Sequence, residues 1–528
     1  MSARLPWRKL SDNHCVVWGA GAEQSLVQIQ QLVSQINLPS NSQKLYQALQ
    51  AVPGHFAIII EGDGWVLACV DRVRSHVIVY QQEKDQLQLS NDIKAFGVDD
   101  VNRDSLLELQ MANYVSGSNT IFKSVQQLQP GECLLWDKQT KKTVVHCYQP
   151  YFSEQLLAHN RDDLMQQQIE VTDRVFQRVV DHADGRTIWI PLSGGLDSRL
   201  VLCLLKSKGY DNIRTFSYGP PGNYDAKWAK IVAEKVGVPW AFIPYSNRIV
   251  NKYFWSDKRK DYWQFASNGC SIPFMSDEVA FDYMIRNKIF NDPEGSVVVN
   301  GQSGDFISGG HISGYHLQPL EAEKLYDISV IIDAIIKKHY SLNKKVLSKT
   351  SDWLSDRIHN SLGIKGGEYS GQHLIKLYEQ WECSERQSRY VVNGQRSYDY
   401  YGIDWSLPLW DLEMFEFWKQ VPSEFKFDQN LYKEYLVKQD FMGMFKDFKS
   451  TMWNWQGAGF MVFPIAKMIG LIAGQSAKAQ FYELTKYFGK YSHHYAPFGF
   501  WHHAKTMKYY NGPLGRYPEL LIREQQLE

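Results

Sequence analysis

The 528-residue chain has room for two or three domains, and its 57 basic and 57 acidic residues leave no net charge. That balance counts against nucleic acid as a partner, because phosphate binding needs a basic surplus. The seven cysteines are scattered and include no Cys-x-x-Cys pair, which predicts free thiols. No apolar run reaches ~18 residues, so no transmembrane segment is predicted. The N-terminus has no apolar leader, and together these features predict a cytoplasmic location.

The first third of the chain has the alternation and turn residues of short antiparallel strands. Residues 61–64, Glu-Gly-Asp-Gly, form a predicted hairpin turn between two apolar runs. One helix is predicted over residues 103–114. The predicted strands are 54–60, 65–70, 77–80, 87–90 and 133–136. Together they predict an antiparallel meander in an α+β domain over residues 1–150.

The most informative segment lies at residues 187–206. Residues 187–192 are β-branched and aromatic, which is typical of a buried strand, and 199–206 form an apolar helix. Between them, residues 193–198 have the sequence Ser-Gly-Gly-Leu-Asp-Ser. A strand, a small-residue loop and a helix N-terminus make an anion site, because free N–H groups and the positive end of the helix dipole converge there. The spacing fits neither a Walker A loop nor the dinucleotide-binding fingerprint.

Strands and helices then alternate along the chain. Residues 213–219 and 240–244 are predicted strands, and a helix ending near residue 236 lies between them. This order predicts an α/β domain with a doubly wound parallel sheet and a helical C-terminal lobe. Ligands of such sheets bind at the carboxyl ends of the strands, so the loops 193–198 and 217–225 should share one crevice.

A second strand-and-loop unit has the same character. Residues 296–299 are an apolar strand, and residues 300–310 are a glycine-rich turn with one acidic side chain, Asp305. Carboxylate oxygens are ligands that Mg²⁺ prefers. We therefore predict that Asp197 and Asp305 hold one Mg²⁺ beside the phosphates of a nucleotide.

With Leu192 in front of it, the loop 193–198 resembles the PP-loop of ATP pyrophosphatases and, within that group, of the asparagine synthetase family. The second loop is similar to the family's Gly-Glu-Gly-Ser-Asp-Glu segment and the Gly-Gly that follows, and the resemblance covers most of residues 50–455. The matching residues are Gly301, Asp305, Gly309 and Gly310, while Gln302 and Phe306 stand where the family has glutamates.

The resemblance implies ATP and Mg²⁺ as cofactors, and a catalytic lysine beyond Lys433, for which we favour Lys449 over Lys446. Gln302 should lie near the incoming nitrogen. A neutral amide cannot accept a proton, so Gln302 counts against a plain asparagine synthetase. The residues expected on ATP and its pyrophosphate are Leu192, Ser193, Gly194, Gly195, Leu196, Asp197, Ser198, Ser217, Gly301, Ser303 and Gly304.

Residues 54–136 resemble the rear part of the family's glutaminase (Ntn-hydrolase) domain, through residues 71–74 and 128–131. An active glutaminase needs a cysteine as its first residue, with its own α-amino group as the base. The chain starts Met-Ser and Cys15 is internal, so we expect residues 1–150 to be a degenerate domain without glutaminase activity. Residues 160–455 are the predicted synthetase domain, and residues 456–528 are an aromatic-rich extension of its lobe.

The resemblance therefore implies an ATP-dependent ligase that adenylates a small-molecule or peptide carboxylate and transfers it to ammonia or a substrate amine. Relatives with an inactive first domain include β-lactam synthetases and lasso-peptide cyclases, so a natural-product, peptide-modification or polysaccharide pathway is expected. A homodimer is left open. The alternatives are an asparagine synthase that uses ammonia, a PP-loop enzyme that modifies tRNA, and a non-catalytic subunit of this family.

Overall fold

A computed structural model describes residues 6–10, 15–157, 160–312, 317, 320–364, 366–446, 464–478, 481 and 513–527. A parallel sheet, three antiparallel sheets and many helices confirm the predicted α/β class.

The N-terminal part contains two antiparallel sheets and three helices. The six-stranded sheet has the order β1-β2-β3-β4-β8-β9, and the three-stranded sheet has the order β6-β5-β7. The strands are β1 (Arg8–Lys9), β2 (Val16–Gly21), β3 (Phe56–Glu61), β4 (Trp65–Val70), β5 (Val79–Glu83), β6 (Gln86–Ser90), β7 (Gln126–Gln127), β8 (Glu132–Asp137) and β9 (Thr143–Cys147). The helices are α1 (Glu23–Gln35), α2 (Ser42–Leu49) and α3 (Arg103–Ala112).

The six-stranded sheet is covered on both faces. Leu26 and Leu45 of α1 and α2 belong to the same buried apolar cluster as Ile58 of β3. On the opposite face, Ala68 of β4 shares a cluster with Tyr80 of β5 in the three-stranded sheet. Alternate side chains of one strand thus enter two different cores, which explains why β3 and β4 are apolar at almost every position.

The predicted single meander is wrong in one respect, because the chain leaves the first sheet after β4. The predicted hairpin of β3 and β4 is present, but β5 pairs with β6 and β7 instead of with β4. The buried carboxylate of Asp71 accepts hydrogen bonds from the backbone N–H groups of Phe56 (2.9 Å) and Val73 (2.8 Å). These bonds turn the chain at the end of β4 and carry it to the second sheet.

The second part of the chain is built on a five-stranded parallel sheet with the order β12-β11-β10-β13-β16, and β14 and β15 form a separate two-stranded antiparallel sheet. The strands are β10 (Thr187–Pro191), β11 (Ile213–Gly219), β12 (Trp240–Pro244), β13 (Ser296–Val299), β14 (Leu325–Asp327), β15 (Glu368–Ser370) and β16 (Asp404–Ser406). The helices are α4 (Arg161–Ala183), α5 (Asp197–Ser207), α6 (Tyr224–Val236), α7 (Asn247–Phe254), α8 (Asp257–Ser267), α9 (Ser276–Arg286), α10 (Gly304–Ile307), α11 (Ser329–His339), α12 (Lys344–Leu347), α13 (Ser351–Leu362), α14 (Gly371–Glu382), α15 (Arg396–Tyr400), α16 (Leu412–Gln420), α17 (Ser423–Lys426) and α18 (Asn430–Gln439). Residues 464–478 and Tyr517–Glu524 are also helical.

The strand order of the parallel sheet reverses beside β10. The chain runs outward from β10 through β11 to β12 and then returns to place β13 on the other side of β10. Loops that follow β10 and β13 therefore leave the sheet in opposite directions and open a crevice between them. The fully buried Val297 and Ile190 show how deep these two strands lie in the core.

The two parts of the chain are joined by buried polar contacts. Arg72, at the end of β4, donates hydrogen bonds to the carbonyl oxygens of Gly54 and Trp410, each at 3.0 Å. Within the second part, Arg178 of α4 forms a bidentate pair with Asp411, the residue after Trp410, at 2.7 and 3.1 Å. Among the described residues, no helix has the length and hydropathy needed to cross a membrane.

Candidate active site

The loops predicted to bind phosphate meet at the point where the strand order reverses. Residues 193–198 follow β10, and residues 300–305 follow β13. A Cβ added to Gly301 would lie 2.7 Å from the backbone N of Ser198, and one added to Gly304 would lie 2.5 Å from Cγ of Asp197. Only glycine permits so close an approach, so the second loop has its glycines where it contacts the first.

The first loop is held open by its own serines and by Arg199. The backbone N of Ser193 donates to Oγ of Ser198 at 3.0 Å, and the backbone N of Gly195 donates to Oγ of Ser193 at 3.2 Å. Nη2 of Arg199 donates to the carbonyl oxygen of Gly194 at 3.0 Å. The first turn of α5 has no side-chain cap, so its N–H groups remain available to an anion.

Asp197 stands at the contact between the two loops. Its carboxylate accepts a hydrogen bond from the hydroxyl of Tyr432 at 2.8 Å and one from the backbone N–H of Asp305 at 3.1 Å. Burial, followed by the negative charge of Asp305, raises the pKa of Asp197 to about 7. Two carboxylates this close repel each other, and a divalent cation between them would relieve the repulsion.

Asp305 is linked to a buried acid through a histidine. Nε2 of His311 lies 3.2 Å from Oδ2 of Asp305, and Nδ1 of His311 lies 2.5 Å from Oε1 of Glu382. Burial alone would lower the pKa of His311, but the charge of Glu382 and the bond to Asp305 raise it to about 9. A protonated His311 that donates to both carboxylates fixes the orientation of Asp305.

Both ends of the Gln302 amide are occupied. Its Nε2 donates to the carbonyl oxygen of Val391 at 2.5 Å, and its Oε1 accepts from Nε2 of Gln395 at 2.6 Å. Gln302 thereby ties the second loop to the π-helix Cys383–Val391 and the turn after it. Its side chain is therefore held in one position on the wall of the crevice and carries no charge.

These residues line a single cleft of about 630 Å³. Most of the predicted site residues lie on its wall, namely Ser193, Gly194, Gly195, Leu196, Asp197, Ser198, Gly301, Gln302, Ser303 and Asp305. Three others lie behind the lining. The Leu192 side chain is buried, Gly304 packs on Asp197, and Oγ of Ser217 donates to the carbonyl oxygen of Leu192 at 2.6 Å.

The lysines are placed differently from one another. Lys433 lines the cleft, and its ammonium group donates to the carbonyl oxygen of Asp428 at 2.7 Å. Lys446 is 64% exposed, and its ammonium group lies 3.5 Å from Asp440. Lys449 falls outside the described residues. Lys433 is thus the lysine that the structure brings to the loops, while Lys446 and Lys449 stay predictions as catalytic residues.

Further residues complete the site beside those named from the sequence. Tyr432 and His311 reach the acidic pair from outside the two loops, although His311 directly follows the predicted turn 300–310. Asn300, the first residue of the second loop, also lines the cleft, and so do Tyr218 at the end of β11 and Asp277 of α9. Their approach depends on the packing of α9 and α15 against the sheet, which no local pattern encodes.

A model of the family described as Asparagine synthase matches residues 175–439, half of the chain. No curated protein matches the sequence. Among solved structures, the chain is similar to glutamine phosphoribosylpyrophosphate amidotransferase from B. subtilis complexed with ADP and GMP, with 9% identity and a TM-score of 0.19 over 45% of this chain and 72% of that one. It is also similar to a structure of the allosteric regulatory enzyme of purine biosynthesis, with 10% identity and a TM-score of 0.18. That match spans 55% of each chain, so about half of that enzyme's length is covered.

Proposed function

Because this chain belongs to the asparagine synthase family, we propose that it is a ligase that uses ATP to adenylate a carboxylate and then joins the acyl group to a nitrogen nucleophile. The observation that carries the proposal is the contact of two glycine-rich loops at the reversal of the sheet, with Asp197 and Asp305 between them. Such a pair of loops is best suited to bind a triphosphate together with a divalent cation.

The loop residues fit a pyrophosphate group. The uncapped first turn of α5 offers N–H donors, and the hydroxyls of Ser193 and Ser198, hydrogen-bonded to each other at 3.0 Å, leave one further O–H donor. A Cβ on Gly194 would lie 2.9 Å from Oδ1 and 3.2 Å from Cα of Asp225, so glycine lets the loop pack closely against the first turn of α6. Lys433 adds a positive charge on the same wall.

The acidic pair fits Mg²⁺. Asp197 and Asp305 supply hard oxygen donors. Burial and then the negative charge of Asp305 raise the pKa of Asp197, and a bound cation would offset both effects. When bound, the ion would neutralise charge that develops on the leaving pyrophosphate. His311 and Tyr432 would hold the two carboxylates in place for it.

In the first step, a carboxylate oxygen of the substrate attacks the α-phosphorus of ATP. An O–P bond forms, the bond to the β-phosphate oxygen breaks, and pyrophosphate leaves. The loop donors stabilise the leaving group because they point at the position where its charge grows. In the second step, nitrogen attacks the acyl carbon, the C–N bond forms and AMP leaves.

The nitrogen is proposed to come from ammonia or from an amine of a substrate. Two cysteines of the N-terminal sheets, Cys69 and Cys133, are poor nucleophiles because they are fully buried in β4 and β8. Burial also raises the pKa of Cys69. Gln302 is a neutral amide with both ends bonded, so another group must take the proton from the nucleophile. These features favour amidation in a peptide, natural-product or polysaccharide pathway over plain asparagine synthesis.

The proposal is tested by exchange of labelled pyrophosphate into ATP with a panel of carboxylic acids. We expect exchange that requires Mg²⁺ and one class of carboxylate, and its loss in Asp197→Ala. Asp211→Ala is the matched control, because Asp211 is 87% exposed and pairs with Lys206 near the far end of α5. Absence of exchange with every carboxylate, or equal exchange in both variants, would contradict the proposal.

A further inference from the structure

A buried carboxylate outside the two phosphate loops lines the same cleft. Asp277, in the first turn of α9, lines the cleft and is only 8% exposed. The hydroxyl of Tyr218 donates to its Oδ1 at 2.5 Å, and the hydroxyl of Tyr398 donates to its Oδ2. Nδ2 of Asn300 in turn donates to the hydroxyl of Tyr398 at 3.1 Å. The carboxylate is therefore fixed in position by neutral donors.

Within the described part of the chain, no lysine, arginine or histidine forms an ion pair with Asp277. Asp282, one turn further along α9, is similarly buried but pairs with both Lys258, at 2.9 Å, and Arg286. Burial raises the pKa of Asp277, although the two tyrosines oppose the rise. Burying an ionised carboxylate without a cation beside it costs free energy. A cationic ligand next to Asp277 would remove this cost and would therefore bind strongly.

The cleft has a second hydrogen-bond acceptor, the side-chain oxygen of Gln395, and this one has no donor among the described residues. The carbonyl oxygen of Val391 can only accept a hydrogen bond, so Nε2 of Gln302 must face it, and Oε1 of Gln302 then accepts from Nε2 of Gln395. This chain of bonds fixes the orientation of both amides. It leaves Oε1 of Gln395, a residue only 1% exposed, without a partner among the described residues.

We propose that Asp277 and Gln395 form the binding site of the nucleophilic amine, which enters as a primary ammonium group. An ammonium group has three N–H donors, and both residues line the cleft that also holds the phosphate loops. The inference rests on the proposed ligase function. The nitrogen donor of the ligase is then a cation, which the cleft selects by its charge.

The site also explains how the nucleophile loses its protons. The ammonium group passes one proton to the carboxylate of Asp277, and its lone pair then attacks the acyl carbon of the adenylate. The C–N bond forms as the C–O bond to AMP breaks, and a second proton leaves the nitrogen for solvent. The products are the amide, AMP and two protons, and no further reactant is needed. Asp277 supplies the base that Gln302 cannot be.

The test compares two nucleophiles at neutral pH on the carboxylate that supports pyrophosphate exchange. Ammonium chloride supplies a cation, whereas hydroxylamine is largely neutral. For Asp277→Asn we expect kcat/KM for ammonium to fall about 10- to 100-fold more than kcat/KM for hydroxylamine, as the loss of a charged contact implies. Asp282→Asn, the same change on the same helix but away from the cleft, should leave the ratio of the two values as in the wild type.

Pyrophosphate exchange is measured on every variant, so a failure of adenylation is seen separately from a failure of amine binding. If the wild type exchanges and the ratio in Asp277→Asn equals the wild-type ratio, the amine site is refuted. Should Asp277→Asn not fold, Gln395→Met removes the second acceptor at similar volume and must lower the same ratio. An unchanged ratio in that variant also refutes the site. Absence of exchange in the wild type refutes the ligase function instead.

Discussion

Replacement of Gly301 by alanine is expected to force the two loops of the cleft apart. The added Cβ would lie 2.7 Å from the backbone N of Ser198 and 2.8 Å from the backbone C of Asp197, while ordinary contacts begin at 3.4 Å. Backbone atoms at the start of α5 cannot rotate away, so the loops must separate by about 0.7 Å. Displacements near 1 Å in a catalytic constellation cost about 10²-fold in rate.

We therefore expect Gly301→Ala to lower the rate of pyrophosphate exchange about 10²-fold and to reduce the free energy of unfolding by about 1–3 kcal/mol, the usual cost of overpacking. Gly64→Ala is the control, because Gly64 lies in the turn between β3 and β4 with no atom within 4 Å of an added Cβ. If Gly301→Ala exchanges at the rate of Gly64→Ala, the two loops do not act on one ligand, and the reasoning is refuted.

Three further predictions concern single side chains. Lys433→Met should lower exchange about tenfold or more, and Lys446→Met should lower it less, since only Lys433 lines the cleft. Burial raises the pKa of Glu278 from 4.5 to about 8, so the folded state binds its proton more tightly and wild-type stability falls as the pH rises through this window. Urea unfolding should show Glu278→Gln gaining a few kcal/mol relative to wild type across that window, at about 1.4 kcal/mol per pKa unit. Arg72→Ala should lower the free energy of unfolding by about 2–3 kcal/mol, because it strands the buried carbonyl oxygen of Trp410.

Each of these has a clear contrary result. Equal exchange in the two lysine variants would remove Lys433 from the phosphate-binding wall. A constant stability difference between wild type and Glu278→Gln across the pH window would mean that Glu278 is ionised in the folded protein. An Arg72→Ala variant as stable as the wild type would mean that the contact with Trp410 does not join the two parts of the chain.

The sequence was most informative where local pattern and topology agree. The strand β10, the loop after it and helix α5 were predicted nearly to their ends, because a β-branched run, two glycines and an apolar helix succeed one another without interruption. The proximity of Asp197 and Asp305 also followed from sequence, since both come after strands of one parallel sheet and the carboxyl ends of such strands meet at one edge.

The remaining site residues depend on packing between distant segments. Tyr432 contacts Asp197 across 235 positions of sequence, and Tyr398 contacts Asp277 across 121. No short motif records such pairs. The second N-terminal sheet was missed for the same reason, because the pairing of β5 with β7 rather than β4 is decided by the turn at Asp71 and by a core shared between two sheets.

The central claim is that the loops at Asp197 and Asp305 direct a carboxylate to the α-phosphorus of ATP. It is tested most directly by supplying the active carboxylate labelled with ¹⁸O in both oxygens and analysing the products by mass spectrometry. The account predicts that one ¹⁸O atom appears in the phosphate of AMP and that pyrophosphate carries none. Label in inorganic phosphate with ADP as the second product would place the attack at the γ-phosphorus and contradict the account.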